Sequence, residues 1–272
     1  MSAKLVQSTL GEGHQDGIRE VACARALNPS RLPGLDYALN PYVGCAHACE
    51  YCYAQDVLRL GERGPWGSWT EAKRNIDARL SVELRRAKPG VIGLGTVTDP
   101  YQPAEAKREL TRSCLEILRE HNHPVCIQTK SDMVLRDLDL IASQQSPEVG
   151  FTITTVDESL ARRLEPGAPA PSARLRAAKA FANAGVKTWV FLGPVIFGAN
   201  DSEESVKAVV RGAAEAGGRK VIFDFYRAKP LADARMRELL GGDFFPRKRT
   251  PGIEQTARNA CMESGIGFEL AF

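Results

Sequence analysis

The chain has 272 residues, of which 43% are hydrophobic and 25% are charged, a composition typical of globular proteins and unlike that of disordered or fibrous ones. Its 36 basic and 33 acidic residues leave a formal net charge of +3. This charge does not indicate the strongly basic footprint of a dedicated nucleic-acid binder, although it leaves nucleic acid open as a partner. No apolar run approaches the roughly 20 residues of a membrane helix, and residues 1–17 lack the apolar stretch of a secretory signal, so we expect a soluble, cytoplasmic protein without a membrane partner.

Apolar runs of strand length alternate with segments of helical period along the chain. Strands are predicted at 37–43, 91–97, 124–129, 150–155, 187–196 and 220–225. Helices are predicted at 104–121, 172–184, 202–216 and 252–264. This alternation predicts an α/β fold with a parallel sheet and helical crossovers, either an open doubly wound sheet or a complete or partial β/α barrel. We expect an N-terminal extension, 1–35, and a single domain, 36–272, that ends in a helical and strand extension.

Three of the seven cysteines follow the first predicted strand in a C-x3-C-x2-C pattern, as Cys45, Cys49 and Cys52. Both candidate architectures carry their chemistry at this end of a strand. Three thiolates in one loop are typical of an iron–sulfur cluster with one iron left open to bind substrate or cofactor. A structural zinc site that includes His47 is an alternative, and so are three buried core thiols.

The residues LNPYVGCAHACEYCYAQ, 39–55, resemble the cluster loop of the radical S-adenosylmethionine (SAM) superfamily, in which an aromatic residue precedes the third cysteine. Four further segments are similar to the spore photoproduct lyase-like group, also called DNA repair photolyase-like: GTVTDPYQPAE (95–105), IQTKSDMVLRDLDLI (127–141), LEPGAPAPSARL (164–175) and GPVIFGAND (193–201). The resemblance spans about residues 36–225. It implies a partial (β/α)6 TIM-type barrel of parallel strands.

The same resemblance implies a radical SAM enzyme. Cys45, Cys49 and Cys52 would hold a four-iron four-sulfur (4Fe–4S) cluster, at which an external donor of flavodoxin or ferredoxin type drives reductive cleavage of SAM to a 5′-deoxyadenosyl radical. The radical would abstract hydrogen from a substrate, with nucleic-acid repair or modification favoured. Radical modification of a peptide or small-molecule metabolite is one alternative, and a zinc-stabilised, non-catalytic binding protein is another.

The resemblance also implies which residues approach the cofactor. Thr98 and Asp99 correspond to positions near the methionine ammonium, and Lys130 to a partner of the cofactor carboxylate. Thr154 corresponds to a polar position near the ribose and Asn200 to one near the adenosine. Two aromatic residues of the cysteine segment complete the cofactor-binding set, Tyr51 and Tyr53. Ordinary structural roles are the alternatives, among them a turn at Thr98-Asp99 and a helix N-cap at Asn200.

One departure from the lyase pattern bears on the reaction. Spore photoproduct lyases carry a hydrogen-donating cysteine two residues before the position of Thr98, where this sequence has Thr96, and a threonine O–H bond is too strong for that role. Tyr101 is our candidate catalytic donor in its place, and Cys126 is a second. Near the C-terminus, the basic run Arg247-Lys248-Arg249 is either a phosphate contact or a solvated turn.

Overall fold

The structure, a computed structural model, describes residues 18–271. Its strands are β1 (Ile18–Val21), β2 (Leu27–Pro29), β3 (Tyr37–Leu39), β4 (Tyr42–Val43), β5 (Thr70–Lys73), β6 (Ile92–Leu94), β7 (Val125–Thr129), β8 (Glu148–Thr152), β9 (Lys187–Val195), β10 (Lys220–Phe225) and β11 (Gly267–Leu270). Its helices are α1 (Ala54–Val57), α2 (Ile76–Leu84), α3 (Glu105–Arg108), α4 (Leu110–Leu118), α5 (Leu138–Ala142), α6 (Glu158–Leu164), α7 (Pro171–Asn183), α8 (Glu203–Glu215), α9 (Pro230–Leu240) and α10 (Ile253–Glu263). None of these helices is long and apolar enough to cross a membrane.

Eight strands form one sheet in the spatial order β11-β10-β9-β8-β7-β6-β3-β2. From β3 to β11 every neighbouring pair is parallel, and the edge strand β2 runs antiparallel to β3. At least one helix lies between the two strands of each parallel pair along the chain, as is usual for the crossover connections of parallel sheets. The predicted α/β fold is confirmed: the six predicted strands are β3 and β6 to β10, and they have the order of a partial barrel that does not close. The seventh parallel strand, β11, lies in the predicted C-terminal extension and was not among the six strands predicted with bounds.

A second, small sheet has the order β1-β5-β4. It arises because the predicted strand 37–43 is divided at Pro41, which has no N–H to donate to a ladder. Strand β3 pairs with β6 in the large sheet, whereas β4 pairs antiparallel with β5 in the small one. Strands β1 and β2 belong to the predicted N-terminal extension, and both pair with strands of the predicted single domain; that division stays a prediction.

The predicted helix 104–121 is also divided. Glu109 has a left-handed φ of 48° and separates α3 from α4. The carboxylate of Glu105 accepts hydrogen bonds from the N–H groups of Thr111 and Arg112, at 2.9 and 3.1 Å. It thereby satisfies donors that the first turn of a helix leaves free, and it favours a new helix start at this point.

Amphipathic helices cover the outer face of the large sheet. In α8, Val206, Val209, Val210 and Ala213 are buried, a spacing that places them on one helix face. They belong to one hydrophobic core together with apolar residues of the strands, such as Ile127 of β7. The sheet consequently presents the loops that follow its parallel strands along one edge, which we term the carboxyl edge.

Candidate active site at the cysteine loop

The cysteine loop, residues 44–53, follows β4 at the carboxyl edge. Cys45 and Cys49 are 8% and 6% exposed, Cys52 is partly buried, and all three are free thiols. Burial raises the pKa of Cys49 well above its usual value and that of Cys52 to about 11. Both therefore carry a proton at neutral pH unless a metal replaces it. One loop thus presents three thiols as potential ligands.

The start of the loop is fixed by two residues that follow β6. The Thr98 hydroxyl donates to the carbonyl of Gly44 at 2.6 Å. The Gln102 side chain, which is fully buried, donates to the same carbonyl at 3.1 Å and accepts from the N–H of Ala46 at 2.9 Å. Gly44 itself has a φ of 80° and leaves no room for a Cβ, which would lie 2.7 Å from Trp69. Only glycine suits this position before Cys45.

Asp99 connects the cysteine loop to the end of β7. Its carboxylate accepts from the Thr129 hydroxyl at 2.6 Å, from the N–H of Lys130 at 2.7 Å and from the N–H of Tyr101 at 2.9 Å, and it lies 3.3 Å from Nδ1 of His47. Burial alone would raise the pKa of Asp99, but His47 and these donors lower it to about 2. Burial alone would lower the pKa of His47, but Asp99 and Cys45 raise it to about 10. The two form a buried ion pair.

A second buried ion pair lies behind Tyr51. Glu165 and Arg174 have side chains that are each 1% exposed and are 2.5 Å apart. Glu165 also accepts hydrogen bonds from the Tyr51 hydroxyl and, at 2.5 Å, from the Thr154 hydroxyl. Although burial raises the pKa of Glu165, Arg174 and Lys130 lower it below its usual value. This carboxylate therefore stays charged and orients Tyr51 between Cys49 and Cys52.

The segment from Leu164 to Gly167 packs directly against the backbone of the cysteine loop. Glu50 donates its N–H to the carbonyl of Leu164 at 2.9 Å, and Gly167 donates to the carbonyl of His47 at 3.0 Å. A Cβ at Gly167 would lie 2.1 Å from the carbonyl oxygen of Ala46. The LEPG sequence thus acts as a backbone clamp on the loop.

Helix α9 supplies a further contact from the C-terminal part of the chain. The Arg235 guanidinium donates to the carbonyls of Glu50 at 3.1 Å and Cys52 at 2.7 Å, and to the Gln55 side chain at 2.8 Å. Three donors of one planar group therefore fix the end of the loop.

Lys130 differs from the other polar residues here. Burial alone would lower the pKa of Lys130, but the neighbouring acidic groups Cys49, Glu165 and Asp99 raise it, so the ammonium stays protonated. Its Nζ lies 5.6 Å from the centroid of the Tyr51 ring. Within residues 18–271, this ammonium makes no hydrogen bond or ion pair, and it remains available to an anionic ligand.

The structure brings together all the residues predicted to bind the cofactor. Several of their side chains, however, form hydrogen bonds to neighbouring backbone groups and hold the loops in place. Asn200 donates to the carbonyls of Thr154 at 2.7 Å and Pro194 at 3.0 Å. The N-cap alternative for Asn200 is wrong, because Ser202 caps α8. The turn alternative for Asp99 is correct, since its side chain accepts from Tyr101. Tyr53 is 42% exposed and donates to the carbonyl of Thr96 at 2.9 Å.

The hydrogen-donor candidates do not face the cysteine loop. Tyr101 is fully buried and its hydroxyl donates to Asp137 at 3.2 Å, in an ion-pair network with Arg112 and Arg136. Cys126 lies near the amino end of β7, away from the carboxyl edge, and burial raises its pKa to about 12. The Thr96 hydroxyl accepts from the Asn40 side chain at 2.8 Å. The catalytic role of Tyr101 stays a prediction.

Two tryptophans cover the outer side of the loop. Trp66 and Trp69 pack with Cys45 and Cys52, and their rings meet edge to face at 6.2 Å. Among the described residues, neither buried indole N–H has a hydrogen-bond partner. Such donors are costly to bury unless an acceptor is supplied. The apolar cluster around Cys45 and Cys52 thus contains two spare hydrogen-bond donors.

The residues that the sequence did not single out are Gln102, Glu165, Arg174 and Arg235. The first three lie in segments that resemble the lyase-like group, so the resemblance was a signal for their region. No signal in the sequence pointed to Arg235, which lies 185 residues from its partner Glu50. Within residues 18–271, no three Cys, His, Asp or Glu side chains are placed to hold a single metal ion, the geometry that the zinc alternative needs.

Comparison with known proteins identifies sequence relatives of this chain. The family model of the radical SAM superfamily matches residues 39–211. An uncharacterized protein of Methanocaldococcus jannaschii is 35% identical over 66% of this chain and 68% of its own length. An uncharacterized protein of Mycobacterium tuberculosis is 36% identical over 82% of this chain and 74% of its own length. The spore photoproduct lyase of Clostridium acetobutylicum is 21% identical over 86% and 68%.

Solved structures share the fold at low sequence identity. A spore photoproduct lyase variant with bound AdoMet and dinucleoside spore photoproduct matches with a TM-score of 0.70 and 16% identity, over 94% of this chain and 81% of that one. Streptococcus suis SuiB bound to the precursor peptide SuiA matches with a TM-score of 0.61 and 15% identity, over 86% and 48%.

Proposed function

Because the chain belongs to the radical SAM superfamily and is a radical SAM enzyme, we propose that Cys45, Cys49 and Cys52 hold a 4Fe–4S cluster and that the substrate is a nucleic acid. The family implies SAM and an iron–sulfur cluster. When bound, these groups supply reductive cleavage of SAM to a 5′-deoxyadenosyl radical that removes hydrogen from the substrate. An external donor of flavodoxin or ferredoxin type would provide the electron.

The residues present fit a cluster with one open iron. Three free thiols come from one loop, as three irons require, and no fourth cysteine lies within the loop. The unpartnered indole N–H groups of Trp66 and Trp69 match the need of cluster sulfurs for donors. These features support the cluster over three ordinary core thiols.

Lys130 is the main observation in support of SAM binding at this site. Its protonated and unpartnered ammonium lies beside Tyr51 and Cys49, where a carboxylate ligand of the open iron would gain a charge-assisted hydrogen bond. Thr98, Asp99, Thr154 and Asn200 already donate or accept within the scaffold. We therefore assign them to shaping the SAM site, and assign Tyr53 to the exposed mouth of the site.

Nucleic acid is the favoured substrate because the spore photoproduct lyase that shares the fold was solved with a dinucleoside lesion. A peptide is the second candidate, on the ground that SuiB was solved with its precursor peptide; a small metabolite is a third. Thr96, in place of the lyase cysteine, indicates that the lyase reaction itself does not carry over unchanged.

The first test is anaerobic reconstitution with iron and sulfide, followed by dithionite and SAM. We expect about four irons per chain, SAM binding, and 5′-deoxyadenosine that increases when the substrate is present. Cys49→Ala should lose all three, whereas Cys114→Ala, which removes a buried thiol outside the loop, should keep them. A wild-type chain that takes up zinc and no iron would overturn the proposal.

A further inference from the structure

A group of aromatic and basic side chains at the carboxyl edge has no part in the site described above. Phe197 lies two residues after the end of β9, and Phe225 is the last residue of β10. Lys248 lies over the Phe197 ring at 4.2 Å and over the Phe245 ring at 5.3 Å. Arg249 lies over the Phe225 ring at 4.3 Å. We term these five side chains the aromatic–cationic surface.

Three of the five side chains of this surface, Phe245, Lys248 and Arg249, are exposed, whereas Phe197 and Phe225 are half-buried. Phe245 is 49% exposed and contacts Phe197 edge to face at 6.2 Å. Apart from Phe245, the one aromatic residue among the exposed large hydrophobics of the described chain is Tyr53, at the mouth of the site. Exposed aromatic rings next to a functional site are typical of surfaces that bind a partner.

The surface is fixed relative to the cysteine loop by the residues on either side of Phe245 and Arg249. Phe244 is buried in one hydrophobic cluster with Cys49 and Tyr51, and its ring meets Tyr226 at 5.4 Å. The Thr250 hydroxyl donates to Asp201, at the end of the loop that carries Asn200. The segment 244–250 is thus anchored at both ends beside the site.

The charge of the surface is positive. Among the described residues, Arg247, Lys248 and Arg249 form no ion pair, and all three are exposed. The nearby carboxylates have partners of their own: Asp224 pairs with Arg227 at 2.9 Å and Glu254 with Arg258 at 3.2 Å. Lys248 and Arg249 lie over aromatic rings and Arg247 precedes them in the chain. Together these cations and rings match the backbone charge and the π-faces of an unpaired nucleic-acid strand.

We propose that the aromatic–cationic surface binds a single-stranded stretch of nucleic acid next to the reacting nucleotide. A base stacks on Phe245, while Lys248, Arg249 and Arg247 contact the phosphates on either side. This inference rests on the proposed function, since it places the strand across the mouth of the same site. The net charge of the chain is only +3, so the proposal relies on positive charge that is concentrated on this surface.

The test is fluorescence anisotropy of the anaerobically reconstituted holoenzyme with a labelled oligothymidylate of about 12 nucleotides and with the same strand in a duplex. We expect tighter binding of the single strand. Phe245→Ala should weaken it about fivefold or more, and Phe245→Trp should restore it. Lys248→Ala/Arg249→Ala should flatten the slope of log K against log salt by about 1.4, because each phosphate contact on a single strand contributes about 0.7.

Arg176→Ala/Lys179→Ala is the matched control, because it removes two exposed cations from α7 on the outer face. It should leave binding and the salt slope unchanged. Equal binding by Phe245→Ala and wild type, preference for the duplex, or equal competition by polyglutamate would each overturn the proposal. Iron content and SAM binding of the same preparations are measured separately: their loss refutes the proposed function, whereas the anisotropy decides the surface in either case.

Discussion

At the scale of single residues, the cysteine loop depends on buried charges that occur in pairs. Glu165 and Arg174 are withdrawn from solvent, and their opposite charges lie 2.5 Å apart. Asp99 and His47 form the same kind of pair on the opposite side of the loop. A charge at either position is tolerated only because its partner is present, so these residues couple the loop to the stability of the whole domain.

Glu165→Gln tests the first pair. It leaves Arg174 buried without its anion, and we expect the free energy of unfolding of the metal-free protein to fall by about 3–5 kcal/mol. The double variant Glu165→Gln/Arg174→Met removes the stranded charge and should recover part of the loss. Urea unfolding at neutral pH measures both. A double variant less stable than the single one would show that the ion pair is not the cause.

Asp137 provides a pH-dependent test away from the loop. Burial raises the pKa of Asp137, but hydrogen bonds from Arg136 and Arg112 lower it below the unfolded value. Its contribution to stability is therefore present above the unfolded pKa of about 3.9 and is lost as the pH falls through the lower folded pKa. Asp137→Asn should cost about 2–3 kcal/mol at pH 7, less than a fully buried pair because both arginines are partly exposed.

The measurement is urea unfolding of wild type and Asp137→Asn at several pH values between pH 7 and pH 3. We expect the difference in unfolding free energy to shrink towards the acid end, where the wild-type carboxylate becomes protonated. A difference that stays constant over this range would show that the charge of Asp137 does not stabilise the network.

At the scale of elements, the strands and helices with a regular apolar period could be predicted from the sequence, and the irregular features could not. Strands β6 to β10 and helices α7, α8 and α10 were predicted within a few residues, because their apolar periods match the sheet and the helix faces it buries. The division of 104–121 at Glu109 could not be predicted, since it depends on the Glu105 carboxylate capping α4. Helix α9 has a weakly amphipathic sequence, so its role in holding the loop through Arg235 was not visible.

The clamp formed by the LEPG segment predicts a strong effect of one added methyl group. Gly167→Ala would place a Cβ against the Ala46 carbonyl, and the loop must shift to admit it. We expect a loss of about 1–3 kcal/mol in unfolding free energy and reduced iron uptake. Gly242→Ala, where a Cβ meets nothing within 4 Å, is the control and should change stability by no more than about 1 kcal/mol. Normal iron uptake by Gly167→Ala would contradict the clamp.

At the scale of the whole molecule, the cysteine loop joins parts of the chain that are distant in sequence. One hydrophobic cluster contains Cys49, Leu164, Ile196, Tyr226 and Phe244. The sequence motif singled out the three cysteines as candidate ligands. The contacts that bring these segments together are long-range, however, and leave no local pattern in the sequence. A ligand bound by the loop should therefore stabilise the entire fold rather than the loop alone.

Removal of the proposed iron–sulfur cluster tests this coupling between the loop and the fold. The reconstituted protein should unfold at a higher temperature than the same protein after chelation, because a group that binds only the native state adds its binding free energy to stability. Cys49→Ala should show no such difference. Anaerobic thermal unfolding followed by circular dichroism measures both, and a wild-type melting temperature insensitive to chelation would show that the loop is independent of the fold.

The position of Trp66 and Trp69 has an optical consequence. They are two of the three tryptophans of the chain, and both pack against the cysteine loop. The third, Trp189, lies over Gly150 in the large sheet. Since an iron–sulfur cluster absorbs where indole emits, its assembly should quench most of the intrinsic emission and leave Trp189 as the residual emitter. Damage to the loop by oxygen would then be visible as a recovery of ultraviolet fluorescence while the sheet remains folded.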